Sequence, residues 1–190
     1  AETEKHGFEI DWLINNAGFG SMNDFTDLEL DRELQMIDLN ISALVALTHR
    51  YLQPMREKKS GVIINVSSAA SFQPIPFMAT YAATKAFVTS FSEAIAEENR
   101  PHGIKILALC PGATETNFFA VAGMKDAIQV KGMQTSEQVV ETALKAVGRG
   151  RTLVVSGLAN YFGSVLGTIV PDALITRTIG KVLRSKVGKK

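Results

Sequence analysis

The sequence predicts an α/β fold, a parallel sheet with helices on both faces. Three observations predict it. Short apolar runs at 10–14, 61–66, 104–110 and 151–156 alternate with longer segments of helical spacing, and strand–helix alternation of this kind builds parallel βαβ units. The run Val62-Ile63-Ile64 is unbroken rather than alternating, as a strand buried on both faces requires. Small, amide and hydroxyl residues gather directly after three of the runs, and ligands in open α/β sheets collect outside the carboxyl ends of the strands.

Composition bounds the answer. With 190 residues, 46% hydrophobic and 21% charged, the chain reads as one core-forming domain rather than a disordered one. A net charge of +1 leaves no electrostatic case for a nucleic-acid partner. The charge is uneven: residues 171–190 carry +5 and the remainder −4. The single cysteine, Cys110, excludes an internal disulfide framework and suits a reducing, cytoplasmic compartment. There is no Cys/His cluster and so no metal signature. No signal peptide is visible, and Ala1 reads as a mid-protein cut or a processed start.

The elements follow in order. His6-Gly7-Phe8 is a helix exit. The strand Ile10–Ile14 stops at Asn15-Asn16-Ala17-Gly18-Phe19-Gly20, a composition suited to a tight turn whose backbone approaches something closely. On the motif alone, a plain strand-ending turn and a cofactor-side turn stand level. Asp24 to Thr26 offers a cap for a long helix over 27–57, with Leu30, Leu34, Ile37, Ile41 and Leu44 at helical spacing. Asn40 stands among its apolar residues and, if buried, needs partners; a satisfied core amide is the plain reading. Pro54 kinks or ends the segment, and Arg56 to Ser60 is its solvated exit. After the second strand, Gly61–Val66, a loop with two prolines spans Ser71 to Phe77.

The next helix, Ala79–Asn99, carries the stripe Phe87, Phe91, Ala94, Ile95, which faces the core or another subunit. Pro101-His102-Gly103 breaks it. His6, His49 and His102 read as exposed, with no carboxylate placed to complete a triad. The third strand, Ile104–Cys110, runs into Pro111-Gly112-Ala113-Thr114-Glu115-Thr116, and Cys110 reads as a buried strand residue rather than a nucleophile. Residues 117–133 hold Phe118, Phe119, Val121, Met124 and Ile128 among glycines, as a substrate lid would. Thr135 or Ser136 caps a helix to Gly148, and a fourth strand follows over 151–156.

Chemistry concentrates after the second strand. Tyr81 and Lys85 are four apart and share one helix face. Ser68 lies thirteen residues before Tyr81, at the strand's mouth. A hydroxyl, a phenol and an ammonium can therefore meet at one point, a proton-handling constellation. The tail is of another kind. No residue from Thr152 to Pro171 is charged, a run of 20 that reaches bilayer length but contains glycines and part of a strand. Beyond it, Ile175, Ile179, Val182 and Leu183 alternate with basic residues at helical spacing. Such a helix packs on its own domain or a second subunit, the favoured reading, or makes peripheral contact with an anionic membrane through 171–190.

Over residues 1 to about 157 the chain resembles the short-chain dehydrogenases/reductases. The matches are ordered and correctly spaced: Asn15-Asn16-Ala17-Gly18, Asn40, Ser68, Tyr81-x-x-x-Lys85 and Pro111-Gly112. The resemblance implies a Rossmann-like doubly wound parallel sheet over 1–157, with 158–190 as an apolar, basic helical extension. It implies NAD(P)-dependent interconversion of a small-molecule carbonyl and alcohol, with NADP or NAD as cofactor. Asn40, Ser68, Tyr81 and Lys85 would be the catalytic set. Tyr81 would be the general acid or base, its pKa lowered by the Lys85 ammonium, and Ser68 would hold the substrate oxygen. Lys85 would also hold the nicotinamide ribose, with Tyr81 and Asn40 beside it among the cofactor-binding residues, and Asn40 would hold a water linked to Lys85. Asn15, Ala17 and Gly18 would border the adenine-side ribose, while Pro111, Gly112, Thr114 and Thr116 would receive the nicotinamide. Phe19, Phe72, Phe77, Phe118 and Phe119 are candidates for an apolar substrate wall or for plain core.

The resemblance further implies a homodimer or homotetramer through the helices at 27–57 and 79–99. The family's glycine-rich loop Thr-Gly-x-x-x-Gly-x-Gly has no counterpart among these residues. The expectation is a chain that corresponds to the C-terminal part of the fold and binds cofactor poorly alone, with strand 10–14 as an exposed sheet edge. A catalytically silent interaction domain of the same fold is the alternative.

Overall fold

The computed structural model describes residues 5–122, 133–185 and 187. Four parallel strands, β1 (Trp12–Asn15), β2 (Gly61–Val66), β3 (Ile104–Cys110) and β4 (Leu153–Val155), lie in the order β1-β2-β3-β4. In register, Asn15 sits beside Asn65, Asn65 beside Ala108 and Cys110 beside Val155. Helices connect them: α1 (Leu30–Ile37), α2 (Leu44–Lys58), α3 (Ala79–Asn99), α4 (Phe118–Val121), α5 (Ser136–Gly148), α6 (Leu158–Ile169) and α7 (Asp172–Arg184).

Alternation along the strands builds two cores. Ile63 and Ile106 face Met55 of α2 and Ile95 and Ala96 of α3. Their neighbours Ile64, Leu107 and Leu109 face Val139, Ala143, Ala146 and Val147 of α5. The sheet is thus covered on both sides, which is why Val62–Ile64 of β2 and Ile106–Cys110 of β3 read as unbroken apolar runs. The stripe on α3 divides: Ile95 is core, Phe91 is partly buried, and Phe87 stacks on Phe91 at 5.6 Å while staying partly exposed.

The predicted helix over 27–57 differs in its buried face and in its bounds: of the expected stripe Leu30, Leu34 and Ile37 are exposed, while Glu33, Met36, Asn40 and Leu44 face inward. Asp24 caps a short 3₁₀ turn, Phe25–Asp27, through Thr26 N (3.3 Å), so the α-helix begins only at Leu30. A π turn, Asp38–Ala43, separates α1 from α2. Pro54 does not end the segment; α2 continues to Lys58, where Lys59 closes it in the left-handed region at φ 53°. Burial of Met55 explains the continuation: it is fully buried, and a Cβ on Gly61 would lie 2.5 Å from its Cγ. Thr135 rather than Ser136 caps α5, in a reciprocal box with Gln138 (3.4 and 3.0 Å).

β1 forms one edge of the sheet, with Trp12 and Ile14 exposed. At the other end, α6 packs on β4 and on the 3₁₀ turn Ala69–Phe72. Among the described residues, no helix is long and apolar enough to cross a membrane.

Candidate active site

The carboxyl ends of β1, β2 and β3 open onto one region, and α3 crosses it. Ser68 follows β2 and caps the turn Ala69–Phe72, its Oγ accepting from Ala70 N at 3.1 Å. Tyr81 and Lys85, one turn apart on α3, are both buried. Lys85 Nζ donates to Val66 O at 2.8 Å and lies 5.9 Å from the centre of the Tyr81 ring. Ser67 ties the same turn down, donating to Lys85 O at 2.8 Å and meeting Thr89 Oγ1 at 2.7 Å.

Asn40 enters from the π turn. A π turn adds a residue to the helical ladder and occurs often at functional sites. Its amide is satisfied on every side: Nδ2 donates to Phe19 O (3.1 Å) and Thr84 Oγ1 (3.0 Å), and Oδ1 accepts from Phe19 N (3.2 Å). The polar residue in an apolar helix thus clamps both backbone groups of Phe19. A Cβ on Gly18 would lie 2.8 Å from Asn40 Oδ1 and 3.5 Å from Lys85 Nζ. Only glycine leaves that space open, and those two polar groups flank it.

Electrostatics differ from the expectation in one respect. Burial pushes the Tyr81 phenol up, and the hydrogen bond with Ser68 is the one influence drawing it down. Lys85 does not lower it. Burial, only partly offset by Cys110, holds Lys85 itself down to about 8, which weakens the cation that was to favour a phenolate.

The cofactor-side residues divide. Asn15 turns inward: its Nδ2 donates to Asn65 Oδ1 (2.8 Å) and Thr48 Oγ1 (3.1 Å), pinning β1 to β2 and α2. Register explains these bonds, since Asn15 and Asn65 are direct neighbours in the sheet. The backbone from Ala17 to Gly18 carries the exposed part of that turn. At the end of β3, Pro111 O accepts from Ala69 N (2.8 Å), and Thr114 Oγ1 donates to Gly112 O (3.0 Å). Thr116 Oγ1 accepts from Phe118 N (3.2 Å). Asn160 of α6 fills the space beside Gly112.

An apolar wall borders Tyr81. Met36, Met78, Tyr81 and Ala122 form a buried cluster, with Phe19, Ile75, Phe118 and Phe119 against it. The Tyr81 and Phe118 rings are 5.2 Å apart, and a Cβ on Gly20 would lie 2.9 Å from Phe118. Phe72 and Phe77 stand outside this cluster. Of the predicted lid, α4 is described, while Met124 and Ile128 lie outside the described residues.

Three features escaped the sequence reading. Phe77 sits at φ 67°, a strained conformation for a bulky residue, and its carbonyl accepts from Asn23 N at 3.1 Å. Thr84 is a partner of Asn40 from another helix, 44 residues on, and no sequence pattern pairs the two. Ser21 Oγ donates to Glu33 Oε1 at 2.5 Å, both residues buried, and Glu33 Oε2 has no hydrogen-bond partner. Nothing in the spacing marked Glu33 as an inward residue.

Comparison with known proteins shows the family to which this fold belongs. The family model described as short chain dehydrogenase matches residues 1–127. The chain is 31% identical over 196 aligned positions to a very-long-chain 3-oxoacyl-CoA reductase of Rattus norvegicus, covering all of this chain and 61% of that protein. It is 35% identical over 146 positions to a 17-beta-hydroxysteroid dehydrogenase type 3 of Mus musculus, covering 76% of this chain and 46% of that protein. A short-chain dehydrogenase from Sphingobium yanoikuyae, solved in complex with NADPH, superposes with a TM-score of 0.75 at 29% identity, covering 83% of this chain and 62% of the other. The chain therefore spans about half to three fifths of the length of these relatives. With the family model matched over two thirds of its length, this protein belongs to the short-chain dehydrogenase family and has its Rossmann-like α/β fold.

Proposed function

We propose that this chain carries the proton-handling and substrate-side part of an NAD(P)-dependent reductase acting on a lipophilic carbonyl. The observation that carries the proposal is the convergence of Ser68, Tyr81, Lys85 and Asn40 at the carboxyl ends of parallel strands. The residues fit the nicotinamide end of a dinucleotide. Gly18 keeps a cradle open beside Asn40 Oδ1 and Lys85 Nζ, and Lys85 has donors to spare beyond its bond to Val66 O. Lys85 would hold the ribose hydroxyls, and the Pro111–Thr116 turn would receive the carboxamide. A reduced nicotinamide supplies hydride when bound.

The chain's own residues do the rest. Ser68 Oγ–H donates to the substrate oxygen and stabilises charge developing there. Tyr81 Oη–H gives its proton to that oxygen. A phenol raised by burial is protonated at neutral pH, which suits the acid of a reduction better than the base of an oxidation. Lys85 then faces the phenolate left behind, and Asn40 fixes the turn that borders both. The wall of Phe19, Met78, Phe118 and Phe119 supports an apolar substrate, and the 3-oxoacyl and steroid names among the relatives are consistent with one.

The test is Tyr81→Phe in the complete polypeptide that carries these residues. Reduction of apolar ketones and 3-oxoacyl thioesters with NADPH or NADH is expected to fall roughly 10²–10⁴-fold, with cofactor affinity changed only a few-fold. Unchanged turnover would refute the assignment. We also propose self-association through α2 and α3, supported by the exposure of Leu47 and Phe87 on them; Phe87→Asp should yield monomer in sedimentation equilibrium.

A further inference from the structure

α6 is amphipathic in the reverse of the usual sense. Its inward residues are Asn160, Ser164 and Gly167: Asn160 donates to Ser156 O, Ser164 donates to Tyr161 O, and Gly167 is pressed against Gln73. Its outward residues are the large apolar ones. Leu158 is 79% exposed, Ile169 74%, Phe162 67% and Leu166 61%, with Tyr161 and Val165 beside them. A helix on a water-facing surface carries the opposite pattern.

α7 follows α6 directly, after Val170 and Pro171, and carries charge. Its inward side is Ile175, Ile179 and Leu183, only partly buried. Its outer side exposes Leu174 and Val182, and Arg177, Lys181 and Arg184 line an open groove of about 730 Å³ against Pro76. Across residues 171–190 six basic residues meet one acid, Asp172, and from Thr152 to Pro171 there is no charge at all.

We propose that α6 and α7 seat this protein on an anionic lipid bilayer, α6 lying in the interface with Phe162, Leu166 and Ile169 among the acyl chains, and Arg177, Lys181 and Arg184 on lipid phosphates. Charge selects this occupant. A second copy docked through the same face would bring two basic helices together with only Asp172 to answer them, whereas anionic headgroups complement all three cations. Geometry agrees: twelve residues make a helix about 18 Å long, too short to cross and suited to lying flat. Tyr161 supplies the aromatic that favours the headgroup level. The α6 face is at the β4 end of the sheet, away from the exposed Trp12 and Ile14 of the β1 edge. It also backs directly onto the Ala69–Phe72 turn that Ser68 caps.

The experiment is vesicle co-sedimentation of the 190-residue protein with phosphatidylcholine alone and with added phosphatidylglycerol. Three proteins are compared: the unaltered chain, Arg177→Gln/Lys181→Gln and Phe162→Ser/Leu166→Ser. All four positions are exposed, and urea midpoints verify that the variants stay folded. The unaltered chain should pellet with the anionic vesicles. The Gln pair should bind about 25-fold less, near fivefold per basic residue, and should lose its preference for phosphatidylglycerol. The Ser pair should lose binding to both. Equal binding by all three proteins, or none by the unaltered chain, overturns the proposal. So does a dimer in sedimentation equilibrium that Phe162→Ser/Leu166→Ser dissolves while no vesicle binds.

Discussion

Lys85→Met is the most informative single change. The ammonium is buried, and its pKa falls from 10.5 to about 8. A folded value below the unfolded one means that, between these two, the unfolded chain binds more protons, so stability rises with pH across that window. The penalty for burying the charge is in full force below pH 8 and amounts to roughly 3 kcal/mol. Methionine removes it and also removes the bond from Nζ to Val66 O at 2.8 Å, worth about 1.5–3 kcal/mol with a charged donor. At neutral pH the two effects nearly cancel, and the variant should match the parent within about 1 kcal/mol. The signature lies in the pH dependence. Tyr81 and Cys110, both raised by burial, contribute with the opposite sign: their contribution falls as pH climbs past the ordinary phenol and thiol values. Both remain in the variant, so subtracting its curve from the parent's leaves Lys85 together with its coupling to Cys110. Urea unfolding from neutral pH to beyond 10 should give a difference that climbs by roughly 3 kcal/mol. A flat difference would mean that Lys85 is not held down by burial and would remove the electrostatic basis of the site.

Gly18→Ala places a Cβ 2.8 Å from Asn40 Oδ1. Asn40 must release Phe19, so carbonyl reduction in the complete polypeptide should drop at least about tenfold, against a stability loss of about 1 kcal/mol by urea melt. Asn65→Ala strips partners from Asn15 (2.8 Å) and Ser92 (2.9 Å) in the dry interior and should cost about 3 kcal/mol in the same assay. Thr135→Ala opens the reciprocal cap of α5 and should cost about 1 kcal/mol while leaving turnover untouched. Equal stability losses at Asn65 and Thr135 would contradict the burial argument that separates them.

The sheet, and the shared helix face of Tyr81 and Lys85, were legible because their signals are local or periodic. Unbroken Val and Ile runs mark strands buried on two faces, and four-residue spacing puts Tyr81 and Lys85 on one side of α3. What stayed hidden depends on partners far away in sequence. The π turn at Asp38–Ala43 leaves no mark on hydrophobic spacing over so few residues. Asn15 points inward because of Asn65, fifty residues later. Pro54 survives inside α2 because packing of Met55 outweighs a missing backbone donor. The direction of the Tyr81 shift follows from how much water α3, Phe118 and Met78 exclude, a quantity no spacing encodes. The faces of α6 were hidden for a related reason: an all-uncharged helix does not announce which side its small residues will choose.

The π turn also fixes the length of its segment. Removing one residue between Asp38 and Ala43 would restore an ordinary helical ladder, but it would rotate α1 by about 100° and draw it in by about 1.5 Å relative to α2. Met36 would leave the cluster around Tyr81, Glu33 would swing away from Ser21, and Asn40 would lose its aim at Phe19. Exposed positions on this segment can accept many side chains. Insertions and deletions there cannot be accepted, and length variants of the protein should find their tolerance in the loops instead.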